Sequence, residues 1–215
     1  MVHALFRSLA QLPGVQALVL ALGLLAALAG PASAQATWTG ATSSSWFEPT
    51  NWSTGSVPGI LVDVSIPVAV NAPDVTSGTA QTRDLFVQPG ALLTVSGTGT
   101  FEVHGNLTLA YSAPTTGSLD LVGVGNDLRL YGDWAQDGVG AVTSGGGRVL
   151  FDGTTSISGA GVQIPRVTLV AGTVTLLAEA EVLDLTATSG SSAGAFAWVF
   201  TDPVAEFSLG TNIIH

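Results

Sequence analysis

Leu92-Leu93-Thr94-Val95-Ser96-Gly97, Phe101-Glu102-Val103-His104-Gly105 and Leu107-Thr108-Leu109 follow one another closely in the chain. In each run apolar and polar residues alternate with period two. Gly, Asn and Ser bound the runs, and Val, Thr and Leu fill them. That pattern describes short strands with one face buried. The same reading extends outward in both directions. Leu85-Phe86-Val87 precedes these runs. Leu119-Asp120-Leu121, Leu128-Arg129-Leu130, Val149-Leu150-Phe151, Val167-Thr168-Leu169, Val174-Thr175-Leu176 and Val182 to Leu185 follow them. No amphipathic helix is legible after residue 35, so the sequence predicts an all-β protein.

A loose repeat runs through these strands. The pattern apolar-x-apolar-x-Gly occurs at Leu93–Gly97, Phe101–Gly105, Leu119–Gly123, Leu128–Gly132 and Val149–Gly153. Gly97, Gly123 and Gly153 read as one series, and Gly105 and Gly132 as another. Propeller blades and helical repeats keep a stricter period. A parallel β-helix tolerates turns of variable length, because only the stacked strands must stay in register. The predicted fold is therefore a right-handed parallel β-helix, or β-solenoid. Phe101 and Leu128 are expected to point inward, and Glu102, His104, Asp120 and Arg129 outward. The alternative is an antiparallel β-sandwich, which short strands would also suit. Asp137-Gly138 and Asp152-Gly153 are the main hairpin signals in its favour.

Composition narrows the function classes. The chain has 215 residues, of which 9% are charged, with a formal net charge of −10. It contains five arginines, no lysine and no cysteine. Nucleic-acid binding needs clustered basic residues, which are missing here. Without cysteine there is no disulfide framework and no thiolate metal site. The first 34 residues carry Arg7, an apolar run from Ala17 to Ala29, and Ala32-Ser33-Ala34. That is the layout of a secretory signal peptide with an A-x-A cleavage site. The apolar run is shorter than the roughly 20 residues of a spanning helix. The expected mature chain, 35–215, is exported to the cell surface or beyond. It has no membrane span.

Trp38-Thr39-Gly40, Trp46, Asn51-Trp52, Val57-Pro58-Gly59 and Asp63-Val64-Ser65-Ile66-Pro67 form a string over 38–67. It resembles the opening of secreted bacterial surface β-helix proteins of the autotransporter-passenger-like kind. The resemblance implies a β-helix displayed outside the cell, used for adhesion or as a stalk. The expected organisation is a signal peptide over 1–34, an N-terminal Trp-rich cap over 35–70 and coils over 71–187. An irregular tail is expected over 188–215, the chain being either a fragment or released rather than anchored.

Few residues suggest chemistry. Trp38, Trp46 and Trp52 could cover the open end of a solenoid, which exposes unpaired strand groups and core. The cap is the preferred reading, because every solenoid needs one; the alternative is stacking on pyranose rings, which makes them the candidate ligand-binding residues. Gly190-Ser191-Ser192-Ala193-Gly194 matches the nucleophile-elbow spacing, with Asp202 and His215 following, but lacks the strand-turn-helix setting that motif needs. Glu102 and His104 share one strand face and read as a solvated pair. Asp127, Asp133 and Asp137 read as turn formers rather than a calcium site. Asp133/Asp137 and Glu179/Glu181 are the carboxylate pairs that a glycosidase would need. No catalytic residue, metal ligand or cofactor is assigned. The expected function is a non-enzymatic structural or adhesive module. The alternatives are a carbohydrate-binding module using the tryptophans and a fragment of a polysaccharide-active enzyme. Extracellular polysaccharide or a host or cell surface is the expected partner.

Overall fold

The structure, a computed structural model, describes residues 34–138, 141–171, 173–177, 180–187, 197–200 and 207–209. The chain divides into Met1–Ser33 and Ala34–His215, and every described residue lies in the second unit. The expected signal peptide, apart from Ala34, falls outside the described residues, as does the Gly190–Gly194 motif with Asp202 and His215.

One sheet stacks β1 (Ala34–Thr37), β2 (Val62–Ile66), β4 (Leu85–Val87) and β6 (Leu107–Leu109). It continues through β11 (Trp134–Gln136), β14 (Thr155–Ser158), β16 (Thr173–Leu176) and β18 (Ala197–Phe200). Every neighbouring pair in it is parallel. These strands occupy the first position of each coil.

A second sheet holds two further positions. The long strands β3 (Asp74–Thr82), β5 (Leu92–Val103), β15 (Val162–Ala171) and β17 (Ala180–Ala187) run through both. The first half of β5 pairs with β9 (Ser118–Leu121), which pairs in turn with β12 (Val142–Ser144). Its second half pairs with β10 (Leu128–Leu130), followed by β13 (Val149–Asp152). β17 is followed by β19 (Phe207–Leu209). Gly97 lies between the two halves of β5 with φ +56, a conformation that glycine adopts without strain. All pairs in this sheet are parallel as well. Among the described residues, antiparallel pairing is confined to the small hairpin of β7 (Tyr111–Ser112) with β8 (Thr115–Thr116) and to the single bridge Trp38–Trp52. The fold is thus a parallel β-solenoid, and the sandwich alternative is excluded.

Alternation builds the core as read from the sequence. At the third position Ala80, Phe101, Leu128, Val149 and Val167 stack one above the next, all buried. At the first, Ala36, Val64, Leu85, Leu107, Trp134 and Ile157 do the same. Glu102, Arg129 and Asp120 face outward between them. Among the buried polar residues, Gln136 enters the core for a specific reason. Gln136 is buried below Leu109, where its Oε1 accepts from the Trp134 indole N–H at 3.3 Å and its amide donates to the Gly138 carbonyl at 3.0 Å.

Three expectations are corrected. Gly153 belongs with Gly105 and Gly132, because Phe101, Leu128 and Val149 are register partners and each glycine lies four residues beyond. Of the five repeat glycines, Gly123 is the one that shares the position of Gly97, through Val95 and Leu121. The close approach of these coils requires glycine: a Cβ on Gly132 would lie 2.4 Å from the Gly105 carbonyl oxygen. Stacking also starts earlier than residue 71, since β1 and β2 already belong to the first-position sheet. The cap is an excursion between them. Finally, the expected irregular tail contains paired strands, β18 and β19.

Candidate functional site

The excursion from Trp38 to Gly59 closes the first coil. Its backbone covers strand edges that would otherwise be bare. Ser53 N–H donates to the Thr37 carbonyl and Thr39 N–H to that of Asn51, alongside the Trp38–Trp52 bridge. At the second position, Asp74 N–H donates to the Ser44 carbonyl and Trp46 N–H to that of Asp74. Asn51, fully buried beside the short 3₁₀ turn Pro49–Asn51, organises the loop. Its Oδ1 accepts from the amides of Thr42 and Ser43, and its Nδ2 donates to the Ser43 hydroxyl and the Ser45 carbonyl. Glu48 caps the turn by accepting from Thr50, and those bonds lower its pKa below the usual glutamate value.

The three candidate tryptophans sit beneath this loop. Trp38, Trp46 and Trp52 are 1%, 0% and 3% exposed. Trp46 meets Trp52 edge-on at 4.6 Å between centroids and Phe101 edge-on at 4.8 Å. Trp38 meets Trp52 edge-on at 4.9 Å. The Trp38 indole N–H donates to the Asn71 carbonyl and that of Trp52 to the Trp46 carbonyl, each at 2.8 Å. Stacking on a sugar requires an uncovered ring face, and these rings have none. The geometry is that of a hydrophobic plug on the core, with T-shaped aromatic packing.

Outward polar side chains gather on the third position. Glu102 accepts from Gln81 at 2.8 Å and lies 3.4 Å from His104 Nε2. His104 stacks on Tyr131 one coil further on, at 4.8 Å and 14°. Arg129 bonds Asp152 at 3.0 Å. Its hydrogen bond with Tyr131 raises the guanidinium above its usual pKa, against partial desolvation. Arg148 reaches Asp127 at 2.7 Å, and that bond likewise raises its pKa. The sequence placed Glu102 and His104 together correctly but missed Tyr131, Arg129 and Asp152 beside them. These residues fall under one another only when the coil register is known. The arrangement ties coil to coil with partly exposed pairs, each contributing little. Accordingly His104→Ala is expected to change stability by less than about 1 kcal/mol. A thermal melt lowered well beyond that would show that the stack carries more of the fold.

A second ladder lies at the entry to the first position, and it includes Asp133, which the sequence reading takes as a turn former. Asp84 Oδ1 accepts the amide of Asn106 at 2.7 Å. Asn106 Oδ1 accepts that of Asp133 at 2.9 Å, and Asp133 Oδ1 that of Ser156 at 2.8 Å. Asp137 accepts the amide of Ala160 at 3.0 Å, and Asp127 that of Arg148 at 3.0 Å. Each side chain bonds the next coil rather than its own turn. The signal in the sequence is an Asp or Asn directly before an apolar-x-apolar strand: Asp84-Leu85, Asn106-Leu107, Asp133-Trp134.

A family model described as a domain of unknown function (DUF8693) matches residues 37–119, which span the tryptophan plug and the coils as far as β9. No curated protein and no solved structure matches the chain.

Proposed function

We propose that the chain is an exported, non-enzymatic structural and adhesive module whose outer faces are its working surface. One observation carries this reading. Among the described residues, outward ionised side chains are spent chiefly on bonds between successive coils: Arg83 with Asp63, Arg129 with Asp152, Arg148 with Asp127, and the Asp/Asn ladder. Catalytic groups are usually held apart with perturbed protonation and aimed into a cleft. Side chains committed to inter-coil bonds stiffen a rod instead. The leader over 1–34 supports export, and the Ser/Thr-rich outer rows support broad, low-entropy contact with a surface.

The test is incubation of the full chain with a panel of immobilised polysaccharides, scoring retention of protein and release of soluble sugar together. The expected result is retention on some members of the panel with no product. Release of reducing ends or unsaturated sugars would overturn the non-enzymatic assignment. Absence of retention throughout would overturn the adhesive one.

A further inference from the structure

The outer face of the first-position sheet differs from the rest of the molecule. Its middle row is Phe86, Thr108 and Ala135, which are register partners on β4, β6 and β11. Phe86 is 42% exposed among these small neighbours. An aromatic ring left in solvent on a flat strand face has one face free. Asp84 lies directly before β4, and Asp133 and Asp137 directly flank β11, the latter two with exposed side chains. Among the described residues neither Asp133 nor Asp137 forms an ion pair. Asp84 has only Arg83 nearby, at 3.8 Å, and Arg83 is already engaged by Asp63.

The charge on these acids exceeds what the ladder needs. Asn106 occupies the same ladder position one coil below Asp84 and one above Asp133. There it makes the same acceptor bond to the next amide with a neutral side chain. A carboxylate is therefore not required at this row, which leaves the charge of Asp133 free to act outward, and Asp137 beyond the far end of β11 carries a second charge without an ion pair among the described residues.

We infer that this face binds a polysaccharide of amino sugars with free amines, lying along the solenoid axis across Phe86, Thr108 and Ala135. The charge complementarity is direct: carboxylates flank the row, the neighbouring Arg83 is engaged by Asp63, and Arg129, Arg148 and His104 lie on the third-position side. An ammonium beside an aromatic ring gains cation–π attraction as well. Coils repeat at about 4.8 Å, close to the length of one sugar ring, so successive rings can meet successive rows. A basic peptide is less well served, since the flat middle row offers neither a groove nor an unpaired strand edge. This assignment gives the proposed adhesive function a site and a ligand class, and rests on that reading.

The experiment compares retention of the full chain on poly-glucosamine, on its fully N-acetylated form and on a neutral glucan. Phe86→Ala, the double variant Asp133→Asn/Asp137→Asn and, as a control on another face, His104→Ala are run beside the wild type. The expected result is salt-sensitive binding to poly-glucosamine alone. Affinity should fall about tenfold in Phe86→Ala and in the double variant. Their melts should be close to wild type, since asparagine keeps each ladder bond. Equal binding to the acetylated polymer, or undiminished binding by both variants, would overturn the inference. If the wild type adheres to other polysaccharides while poly-glucosamine is ignored, the ligand assignment falls and the adhesive reading stands.

Discussion

Phe101→Asp is expected to abolish the cooperative thermal melt of the chain. Phe101 is fully buried between Ala80 and Leu128 in the third-position stack, with Trp46 edge-on against its ring. Removing the phenyl group alone costs about 3–5 kcal/mol. The carboxylate that replaces it is stranded without a base, at a further cost of several kcal/mol. The combined loss approaches the whole stability of an ordinary domain, about 5–15 kcal/mol. The neighbouring coils cannot open locally to solvate the charge, because β5 pairs on both sides along its second half. Circular dichroism during heating reads the outcome. A melt resembling that of the wild type would mean that residue 101 does not face the core.

The second large effect is at the plug. Trp46→Ala should destabilise the chain by about 3–5 kcal/mol, as expected for deleting a fully buried tryptophan. The loss is in packing against Trp52, Trp38 and Phe101. Hydrogen bonding contributes nothing, because the Trp46 indole N–H is buried without a partner. That detail yields a sharper comparison. Trp46→Phe removes an unsatisfied donor, whereas Trp52→Phe breaks a 2.8 Å bond and strands the Trp46 carbonyl. Trp46→Phe should therefore be the milder of the two in denaturant titration. The opposite order would show that the Trp46 N–H is satisfied by something in solution.

Much of this is legible in the sequence. Period-two alternation marked the strands, and it assigned Phe101 and Leu128 inward and Glu102 and Arg129 outward. Such alternation is a local property, since one face of each strand must bury apolar groups. Coil register is not local. Residues 80 and 101 are partners, as are 101 and 128, and 149 and 167, so the spacing changes from coil to coil. Loops such as the hairpin before β9 and the turn around Gly125 absorb the difference. That is why Gly153 was grouped with the wrong glycines, and why Tyr131 could not be placed beside His104.

The tryptophans illustrate a different limit. Three Trp in one segment suit a plug, which every solenoid needs, but as composition they also suit a sugar platform. Only burial separates them, and burial depends on where the excursion folds back. The aromatic that does reach solvent, Phe86, was legible only as a strand residue. It lies outward because Leu85 and Val87 take the two inward positions of a three-residue strand. Asp127, Asp133 and Asp137 read from the sequence as turn formers, which is what that side chain does most often. Their actual partners are amides one coil away, which no reading of a single turn can reveal.

The central claim is that the folded solenoid adheres to surfaces without altering them. The most direct measurement is detachment under shear of beads carrying the full chain, on polysaccharide-coated glass, with Phe101→Asp beads as the unfolded control. The account predicts that wild-type beads resist flow, that the control beads wash away, and that the coating is intact afterwards. Wild-type beads that detach as readily as the control, or a coating eroded beneath them, would contradict it.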